Sequence, residues 1–250
     1  MGKIVAIGGG ENGHHNTKYE TAPFDKEIIR LTGKTKPSFL FIGLANNYPD
    51  YYFEIMDGIY NGMYGCLTDY LRYEEIRNKE ITSSKIKNAD IIYVGGGNTY
   101  KLIRLFKMYD IDKMLIEAYN EDKVLCGVSA GGICWCDYGN SDSRVISSNS
   151  SQIIRVSGLG LINVLFAPHI IKEPDRIESV KQMMKRTYKI PAVQLDNAAL
   201  EVVDNQYRIL TIDDNSVAEK CYWKNGKYVT QSIISKEFKN INELYERNEK

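Results

Sequence analysis

Five short apolar runs recur along the first two thirds of the chain and predict β-strands. Several of them are apolar at successive positions, which is typical of strands buried on both faces of a sheet. The runs occupy residues 3–7, 38–44, 89–96, 124–129 and 163–169. Runs of this kind favour a mostly parallel sheet.

Helical periodicity fills intervals between these runs. In the segment 48–64 one predicted helix face collects Tyr52, Ile55, Met56, Ile59 and Met63. A second helix is predicted from Asn98 through KLIRLFKM, and a third from Pro174 to about Tyr188. Strands that alternate with helices predict an α/β fold, in which helices flank a mostly parallel sheet.

The pattern changes after Pro191. Apolar and polar residues alternate, and turn-forming pairs occur at Asp204-Asn205, Asp213-Asp214 and Asn225-Gly226, which predicts antiparallel strands and hairpins. The last segment, 235–250, has the pattern of a charged amphipathic helix. Because no repeat, linker or low-complexity tract divides the chain, we expect one domain over residues 1–250, with an antiparallel, β-rich C-terminal extension of the sheet.

The composition argues against several classes of function. The 250 residues include 32 Lys and Arg against 32 Asp and Glu, without a clustered basic stripe, so we expect no nucleic acid partner. No apolar stretch approaches the roughly 20 residues that span a bilayer, so we expect no membrane partner. The apolar segment at 4–7 is too short for a signal peptide. These features predict a cytoplasmic protein.

The chain contains 18 tyrosines, and several of them lie in the predicted helix 48–64. Two interpretations remain open. The rings either pack into the core and cover its edge, or they form the contact of a homodimer, since aromatic residues are enriched at such interfaces.

The cysteines favour buried or free thiols over disulfides. They stand at positions 66, 126, 134, 136 and 221, an odd number without the spacing of a disulfide framework. A zinc site that combines Cys134 and Cys136 with a distant histidine matches known ligand spacings poorly. We therefore expect no metal and no cofactor.

Two glycine-rich turns follow predicted strands. The first, GGGENG at 8–13, satisfies G-x-G-x-x-G, but Pro23 prevents an early helix and no acid ends the next strand, so a dinucleotide site is not expected. The second, GGGNT at 95–99, precedes a helix, and its backbone N–H groups can line a phosphate cradle or an oxyanion hole. No Lys-Ser or Lys-Thr pair follows it, which excludes a P-loop.

A third glycine-rich turn, GVSAG at 127–131, matches G-x-S-x-G. In a strand-to-helix turn, small flanking residues allow a strained conformation that exposes the serine oxygen above the sheet. Ser129 is therefore a candidate nucleophile. The alternative interpretation is that Ser129 caps the following helix.

A serine nucleophile needs a base, usually a histidine oriented by a carboxylate. His169 ends a predicted strand, where open α/β sheets place their sites, whereas His14 and His15 lie in a loop. Asp142 is the candidate orienting acid, since Asp137 lies close to the serine turn. Glu173 and Asp196 are further candidates.

The motifs VGGGNTYKL, GVSAGGICW, NSDS and APH, in this order and at this spacing, resemble the dipeptidase E and cyanophycinase family of serine peptidases. The resemblance extends over nearly the whole chain, from IVAIGGG to LDNAALEV. It implies a fold like that of the class I glutamine amidotransferases, with Ser129 as nucleophile and His169 as base.

The resemblance also assigns roles to other residues. It implies a backbone oxyanion hole formed by Ala130 and by Gly96 or Gly97, with Asp142 as the third catalytic residue. Dipeptidases of this family bind an N-terminal aspartate through a basic residue, for which Arg176 is the nearest candidate. Asn98 is a second candidate for substrate binding.

Three functions follow from these features. The leading hypothesis is a serine peptidase that hydrolyses short peptides, in which Cys134 is a buried apolar residue rather than a nucleophile. The second is an esterase or amidase that uses the same three residues. The third is a non-catalytic small-ligand-binding protein in which Ser129 only caps its helix.

Overall fold

The computed structural model describes residues 2–13, 17–148, 150, 152–187 and 189–246. The strands are β1 (Lys3–Ile7), β2 (Ser38–Ile42), β3 (Leu67–Tyr70), β4 (Ile91–Val94), β5 (Val124–Val128), β6 (Cys136–Ser141), β7 (Ile154–Ser157), β8 (Ile162–Ala167), β9 (Ala192–Asp196), β10 (Ala198–Val203), β11 (Gln206–Thr211), β12 (Val217–Lys224), β13 (Lys227–Ser232) and β14 (Lys239–Asn240). The helices are α1 (Ala22–Leu31), α2 (Pro49–Asp57), α3 (Lys79–Asn88), α4 (Thr99–Met108), α5 (Ile111–Asn120), α6 (Ala130–Ile133), α7 (Ser143–Ser148), α8 (Asp175–Met184) and α9 (Ile241–Tyr245). A π-helix (Gly58–Met63) continues α2, and a 3-10 turn (Glu75–Arg77) precedes α3.

Eight strands form the larger sheet, in the order β14-β11-β10-β1-β5-β4-β2-β3. From β1 to β3 all neighbours run parallel, and helices connect most of these strands, as parallel crossovers require. On the other side of β1 the strands β10, β11 and β14 are antiparallel. The ends of β1, β4 and β5 therefore meet at one edge.

Six strands form a second sheet, in the order β13-β12-β9-β8-β6-β7. Its central strands β9, β8 and β6 are parallel, and its outer pairs are antiparallel. The carboxyl ends of β8 and β9 consequently lie side by side, and the residues that follow them begin the segments that carry His169 and Asn197.

Alternating side chains of β1 enter two different cores. Val5 and Ile7 pack into a cluster with α1 and α2, whereas Ile4 and Ala6 belong to a cluster that includes α4, α5 and residues of the second sheet. The short helix α6 contacts strands of both sheets. A third cluster lies between the second sheet and α8. The serine turn thus sits where the two sheets approach each other.

The α/β prediction is confirmed, and all five strands predicted from apolar runs form. The first keeps its predicted bounds, and the ends of the other four differ from the predicted ones by at most two residues. The predicted helices appear as α2 with its π-helical extension, α4 and α8. After Pro191 the strands pair antiparallel, except that β9 is also parallel to β8, and turns join β10 to β11 and β12 to β13 at the predicted pairs.

Three features differ from expectation. The run at 163–169 and the late strands β12 and β13 belong to the second sheet rather than to an extension of the first. The helix after Ser129 is a single turn, because the chain re-enters a strand at Cys136. Within the described residues, the predicted C-terminal helix is confined to Ile241–Tyr245, because Lys239 and Asn240 pair with β11 instead. Among the described residues, every helix is too short or too polar to cross a lipid bilayer.

Candidate active site

Ser129 forms the turn between β5 and α6. Its backbone is left-handed in φ, at 55° with ψ of −112°, which costs a non-glycine residue about 1–3 kcal/mol. Its N–H donates to the Ile7 carbonyl at 3.0 Å, and its carbonyl accepts from Gly132 and Ile133 at 2.9 Å. The side chain makes no capping hydrogen bond, which contradicts the interpretation of Ser129 as a helix cap.

The two glycines of G-x-S-x-G allow this turn to pack against the end of β4. A Cβ at Gly131 would lie 1.9 Å from the Val94 carbonyl oxygen, and a Cβ at Gly127 would lie 2.5 Å from the same atom. Because real Cβ atoms never approach backbone oxygen so closely, both positions require glycine. The motif therefore has a packing reason as well as a chemical one.

The GGGNT turn lies directly beside the serine. A Cβ at Gly96 would lie 3.5 Å from the Cβ of Ser129, and Gly97 has a φ of 135° that favours glycine. Asn98 caps α4 by accepting from the Lys101 N–H at 2.9 Å, and its amide donates to the Ser143 carbonyl at 3.1 Å. The buried Asn98 side chain therefore holds the turn in place, and its role in substrate binding stays a prediction.

The backbone N–H groups around Ser129 differ in whether they have a hydrogen-bond acceptor within the protein. The N–H of Gly96 faces the hydroxyl oxygen of Tyr52, opposing the burial that raises the pKa of Tyr52 to about 12. In contrast, the N–H groups of Gly97 and Ala130 donate to no acceptor within the described part of the chain. Two unpaired donors next to a serine are the elements of an oxyanion hole.

His169 stands two residues after the end of β8. Its N–H donates to the Gly8 carbonyl at 2.8 Å, and its carbonyl accepts from the Glu173 N–H at 2.8 Å. Like Ser129, it has a left-handed backbone, with φ of 60°. These bonds bring the residue that follows β8 to the end of β1, which is also the strand that Ser129 contacts.

The surroundings of His169 favour the neutral imidazole. Burial lowers its pKa below 6.5, and the positive charges of Arg176 and Lys172 act in the same direction, while Asp196 and Glu173 oppose them. Among the described residues, neither the Ser129 hydroxyl nor the His169 ring forms a hydrogen bond. Such bonds are often long in unliganded enzymes and tighten when substrate binds.

Asp142 and Arg176 contact each other. The Arg176 side chain is 1% exposed, and its terminal nitrogen lies 3.6 Å from the Asp142 carboxylate. Its other nitrogens donate to Glu173 at 2.9 Å and to the Asn140 carbonyl at 2.7 Å. Arg176 therefore ties α8 to the end of β6. The orienting role of Asp142 and the substrate-binding role of Arg176 stay predictions, and substrate can reach the guanidinium of Arg176 only if this buried side chain becomes exposed.

Asp196 binds the segment after His169, a contact that the sequence indicated only weakly. It ends β9, is 1% exposed, and accepts hydrogen bonds from the N–H groups of Ile171 at 2.8 Å and Lys172 at 3.3 Å. It therefore anchors the segment that directly follows His169. The available signal was a carboxylate at the end of a buried strand in AVQLD, which by itself does not reveal the loop that it binds.

The thiols near the site are buried. Cys134 donates to the Gly131 carbonyl at 3.1 Å, and burial raises its pKa well above the usual value, so it packs as an apolar residue. All five cysteines are free. No three potential metal ligands gather within the residues that the structure describes, and the alternative bases His14 and His15 lie outside them.

A comparison with known protein families identifies the family of this chain. The model of peptidase family S51 matches residues 4–210, which include the serine turn, the GGGNT turn and His169. The chain belongs to peptidase family S51. The assignment makes it a hydrolase of the peptidase class and confirms the resemblance that the motifs indicated.

Relatives and solved structures are consistent with this assignment. The chain is 27% identical over 207 residues to the uncharacterized peptidase YgaJ of Bacillus subtilis (strain 168), an alignment that covers 82% of this chain and 85% of YgaJ. Its fold matches the crystal structure of a peptidase from an acI-B1 Actinobacterium, with a TM-score of 0.70, 20% identity and 96% of each chain covered. It also matches a peptidase E-type protein from Listeria monocytogenes EGD-e, with a TM-score of 0.59, 16% identity, and 85% and 100% of the two chains covered.

Proposed function

We propose that this chain is a serine peptidase that hydrolyses short peptides, with Ser129 as nucleophile and His169 as general base. The observation that carries the proposal is the strained backbone of Ser129, whose hydroxyl makes no capping bond. The N–H groups of the next residue, Ala130, and of Gly97 in the neighbouring turn have no acceptor among the described residues. An acyl-transfer site needs this combination, because the serine must be exposed and charge on the substrate oxygen must be stabilised.

The proposed reaction proceeds through an acyl-enzyme. The Ser129 oxygen bonds to the scissile carbonyl carbon while His169 takes the hydroxyl proton, and the carbonyl oxygen becomes an oxyanion. The N–H groups of Gly97 and Ala130 donate to this oxyanion, each contributing about 3 kcal/mol. His169 then gives the proton to the leaving amine as the C–N bond breaks. Water repeats the sequence and releases the acid.

The lowered pKa of His169 supports its role as base. The imidazole must be neutral to accept a proton, and burial together with the charges of Arg176 and Lys172 favours that form. Hydrogen bonds also fix the backbone of His169 at both its N–H and its carbonyl. Because the backbone is fixed, less conformational entropy is lost when the ring is oriented for catalysis.

Asp142 remains the proposed orienting acid, with Asp196 as the alternative. Asp196 is supported by its electrostatic effect on His169, and Asp142 by the sequence resemblance. The variants Asp142→Asn and Asp196→Asn distinguish them in a kcat measurement. Loss of the orienting carboxylate is expected to lower kcat about 1,000-fold or more, whereas the other change is expected to cost about tenfold or less.

The proposal is tested with Ser129→Ala. We expect hydrolysis of a dipeptide panel, varied at its first residue, to fall by about 1,000-fold or more while circular dichroism and the unfolding transition are unchanged. Ser84→Ala, at an exposed position of α3, is the matched control and should retain full activity. Substantial dipeptide hydrolysis by purified Ser129→Ala would contradict the proposal.

The same panel separates the other two functions. An esterase or amidase would hydrolyse ester or simple amide substrates faster than dipeptides, again only with Ser129 present. A non-catalytic binding protein would hydrolyse none of them and would not react with a fluorophosphonate. The class I glutamine amidotransferase-like architecture, the cytoplasmic location and the homodimer are further parts of the proposal, and the dimer is tested by measuring the mass in solution.

A further inference from the structure

A salt bridge joins two loops beside His169. The ammonium of Lys172 binds the carboxylate of Glu11. Glu11 lies in the glycine-rich loop that follows β1, and Lys172 lies three residues after His169. The hydrogen bond from the His169 N–H to the Gly8 carbonyl, at 2.8 Å, joins the same two loops. The ion pair therefore belongs to the wall on the histidine side of the candidate active site.

Lys172 combines a fixed backbone with an accessible charge. Its N–H donates to the buried carboxylate of Asp196 at 3.3 Å, while its side chain is 52% exposed and that of Glu11 is 35% exposed. Arg176, the other cation that acts on His169, is 1% exposed and bonded to protein partners. Of these two cations, only Lys172 has an ammonium or guanidinium that solvent and substrate can reach.

The charges of this pair also affect the imidazole of His169. The hydrogen bond from Lys172 is the main cause that lowers the pKa of Glu11, and the charge of His169 contributes in the same direction. The charge of Lys172 in turn lowers the pKa of His169. These effects agree with the backbone bond from His169 to Gly8, which joins the two loops that carry the ion pair.

The chemistry of the leaving group indicates which part of a substrate could bind the ammonium of Lys172. The histidine that activates the serine later protonates the leaving amine, so the residue after the scissile bond departs on the side of His169. If that residue is the last of the peptide, it carries a free α-carboxylate. A carboxylate next to the leaving amine is complementary to an accessible ammonium.

We propose that Lys172 binds the free α-carboxylate of a peptide with one residue after the scissile bond, and that Glu11 holds the Lys172 side chain until substrate arrives. The inference rests on the proposed peptidase function and deepens it, since it assigns Lys172 as the residue that restricts cleavage to the last peptide bond. In substrate binding, the peptide carboxylate replaces Glu11 as the partner of the ammonium.

The kinetic test compares dipeptides with a free carboxylate and the same dipeptides as C-terminal amides. For Lys172→Met we expect KM for the free acids to rise about tenfold, which corresponds to about 1.4 kcal/mol, with a change of less than about twofold for the amides. Lys172→Gln, which keeps a polar side chain, should give the same pattern. Equal changes for acids and amides, or none, would overturn the inference while leaving the peptidase function intact.

A binding test does not depend on turnover. In the Ser129→Ala background, calorimetry should show that free-acid dipeptides bind more tightly than their amides, and that Lys172→Met removes this difference. Adding Glu11→Gln instead should strengthen binding of the free acids by a few fold, because it removes the competing carboxylate. Absence of an acid preference, or weaker acid binding in Glu11→Gln, would refute the role of Lys172 even if no substrate is hydrolysed.

Lys34→Met is the matched control. Lys34 also forms a surface ion pair, with Asp90 at 2.7 Å, and its side chain is 59% exposed, close to the value for Lys172. Because this pair lies at the opposite ends of β2 and β4 from the GGGNT turn, its loss should leave the preference for free acids unchanged. A reduced preference in Lys34→Met would show that the effect reflects general charge and not Lys172.

Discussion

Ser129 and His169 donate their backbone N–H groups to consecutive carbonyls, those of Ile7 at 3.0 Å and Gly8 at 2.8 Å. Both residues also have positive φ, 55° and 60°. The end of β1 therefore binds the backbone of both residues: Ser129, which follows β5 of the larger sheet, and His169, which follows β8 of the smaller sheet. Their relative placement depends on backbone bonds rather than on a direct side-chain contact.

The strain at Ser129 predicts a gain in stability when function is removed. Ser129→Gly eliminates the Cβ from a left-handed backbone, so we expect its free energy of unfolding to exceed that of Ser129→Ala by about 0.5–1 kcal/mol, after the larger chain entropy of glycine is subtracted. Urea denaturation of the two inactive variants measures the difference. Equal stabilities, or a more stable alanine variant, would show that the turn is unstrained.

The glycine at 131 predicts a large loss of stability. Its Cβ would lie 1.9 Å from the Val94 carbonyl oxygen, so Gly131→Ala is expected to lower the free energy of unfolding by about 3 kcal/mol. Gly58 is a helical glycine with φ of −56° and nothing within 4 Å of a Cβ, and Gly58→Ala should instead raise stability by about 0.5–1 kcal/mol. Thermal or urea unfolding of both variants checks the opposite signs.

The pKa of His169 predicts the acid limb of the pH profile. Since burial and nearby cations lower that pKa, kcat/KM should rise with a midpoint below 6.5. Asp196→Asn removes a charge that raises the pKa and should move the midpoint lower still, whereas Lys172→Met removes a charge that lowers it and should move the midpoint higher. Shifts in the same direction, measured by pH-rate profiles, would contradict this electrostatic account.

The buried Asp25 predicts a pH dependence of stability. It accepts hydrogen bonds from the hydroxyls of Tyr60, Thr21 and Tyr19 at 2.8, 2.9 and 3.0 Å, yet burial raises its pKa from 3.8 to about 6. Between these values the folded state holds a proton that the unfolded state has lost, so stability falls as pH rises. Relative to Asp25→Asn, the native protein should lose about 3 kcal/mol between about pH 4 and pH 7.

Urea titrations of both proteins across that range measure the difference. An offset between the native protein and Asp25→Asn that does not change with pH would show that Asp25 keeps an ordinary pKa. With its oxygen at the Oδ2 position, the asparagine still accepts from Tyr19 and Thr21, and its NH2 group can donate to the hydroxyl oxygen of Tyr60, so the variant is expected to fold.

Much of the fold could be predicted from local patterns. The runs at 3–7 and 124–129 form strands that are buried in the sheet, as continuous apolar sequence predicts, and the two are parallel neighbours. The run at 163–169 has the same pattern, but belongs to the other sheet. An apolar run therefore predicts that a strand is buried, but it does not predict which strands are its neighbours.

The candidate active site could likewise be predicted only in part from the sequence. The motifs G-x-S-x-G and GGGNT predicted two turns, and the family resemblance implied that they form one oxyanion hole. The turns are neighbours in the structure, since a Cβ added at Gly96 would lie 3.5 Å from the Cβ of Ser129. Each turn could be predicted because its conformation depends on only a few consecutive residues. The two turns lie together because they follow β4 and β5, which are neighbouring parallel strands. The sequence did not indicate that Asn98 and Arg176 would be engaged by Ser143, Asn140 and Glu173.

The sequence by itself determined the strand-to-helix turns, the glycine positions that they require, and the identity of a serine and a histidine at strand ends, because these depend on backbone conformation within a few residues. The tertiary structure alone decided which N–H groups remain unpaired, that Asp196 anchors the segment after His169, and that Lys172 meets Glu11. These contacts join residues up to 161 positions apart, and only the packing of two sheets brings such residues together.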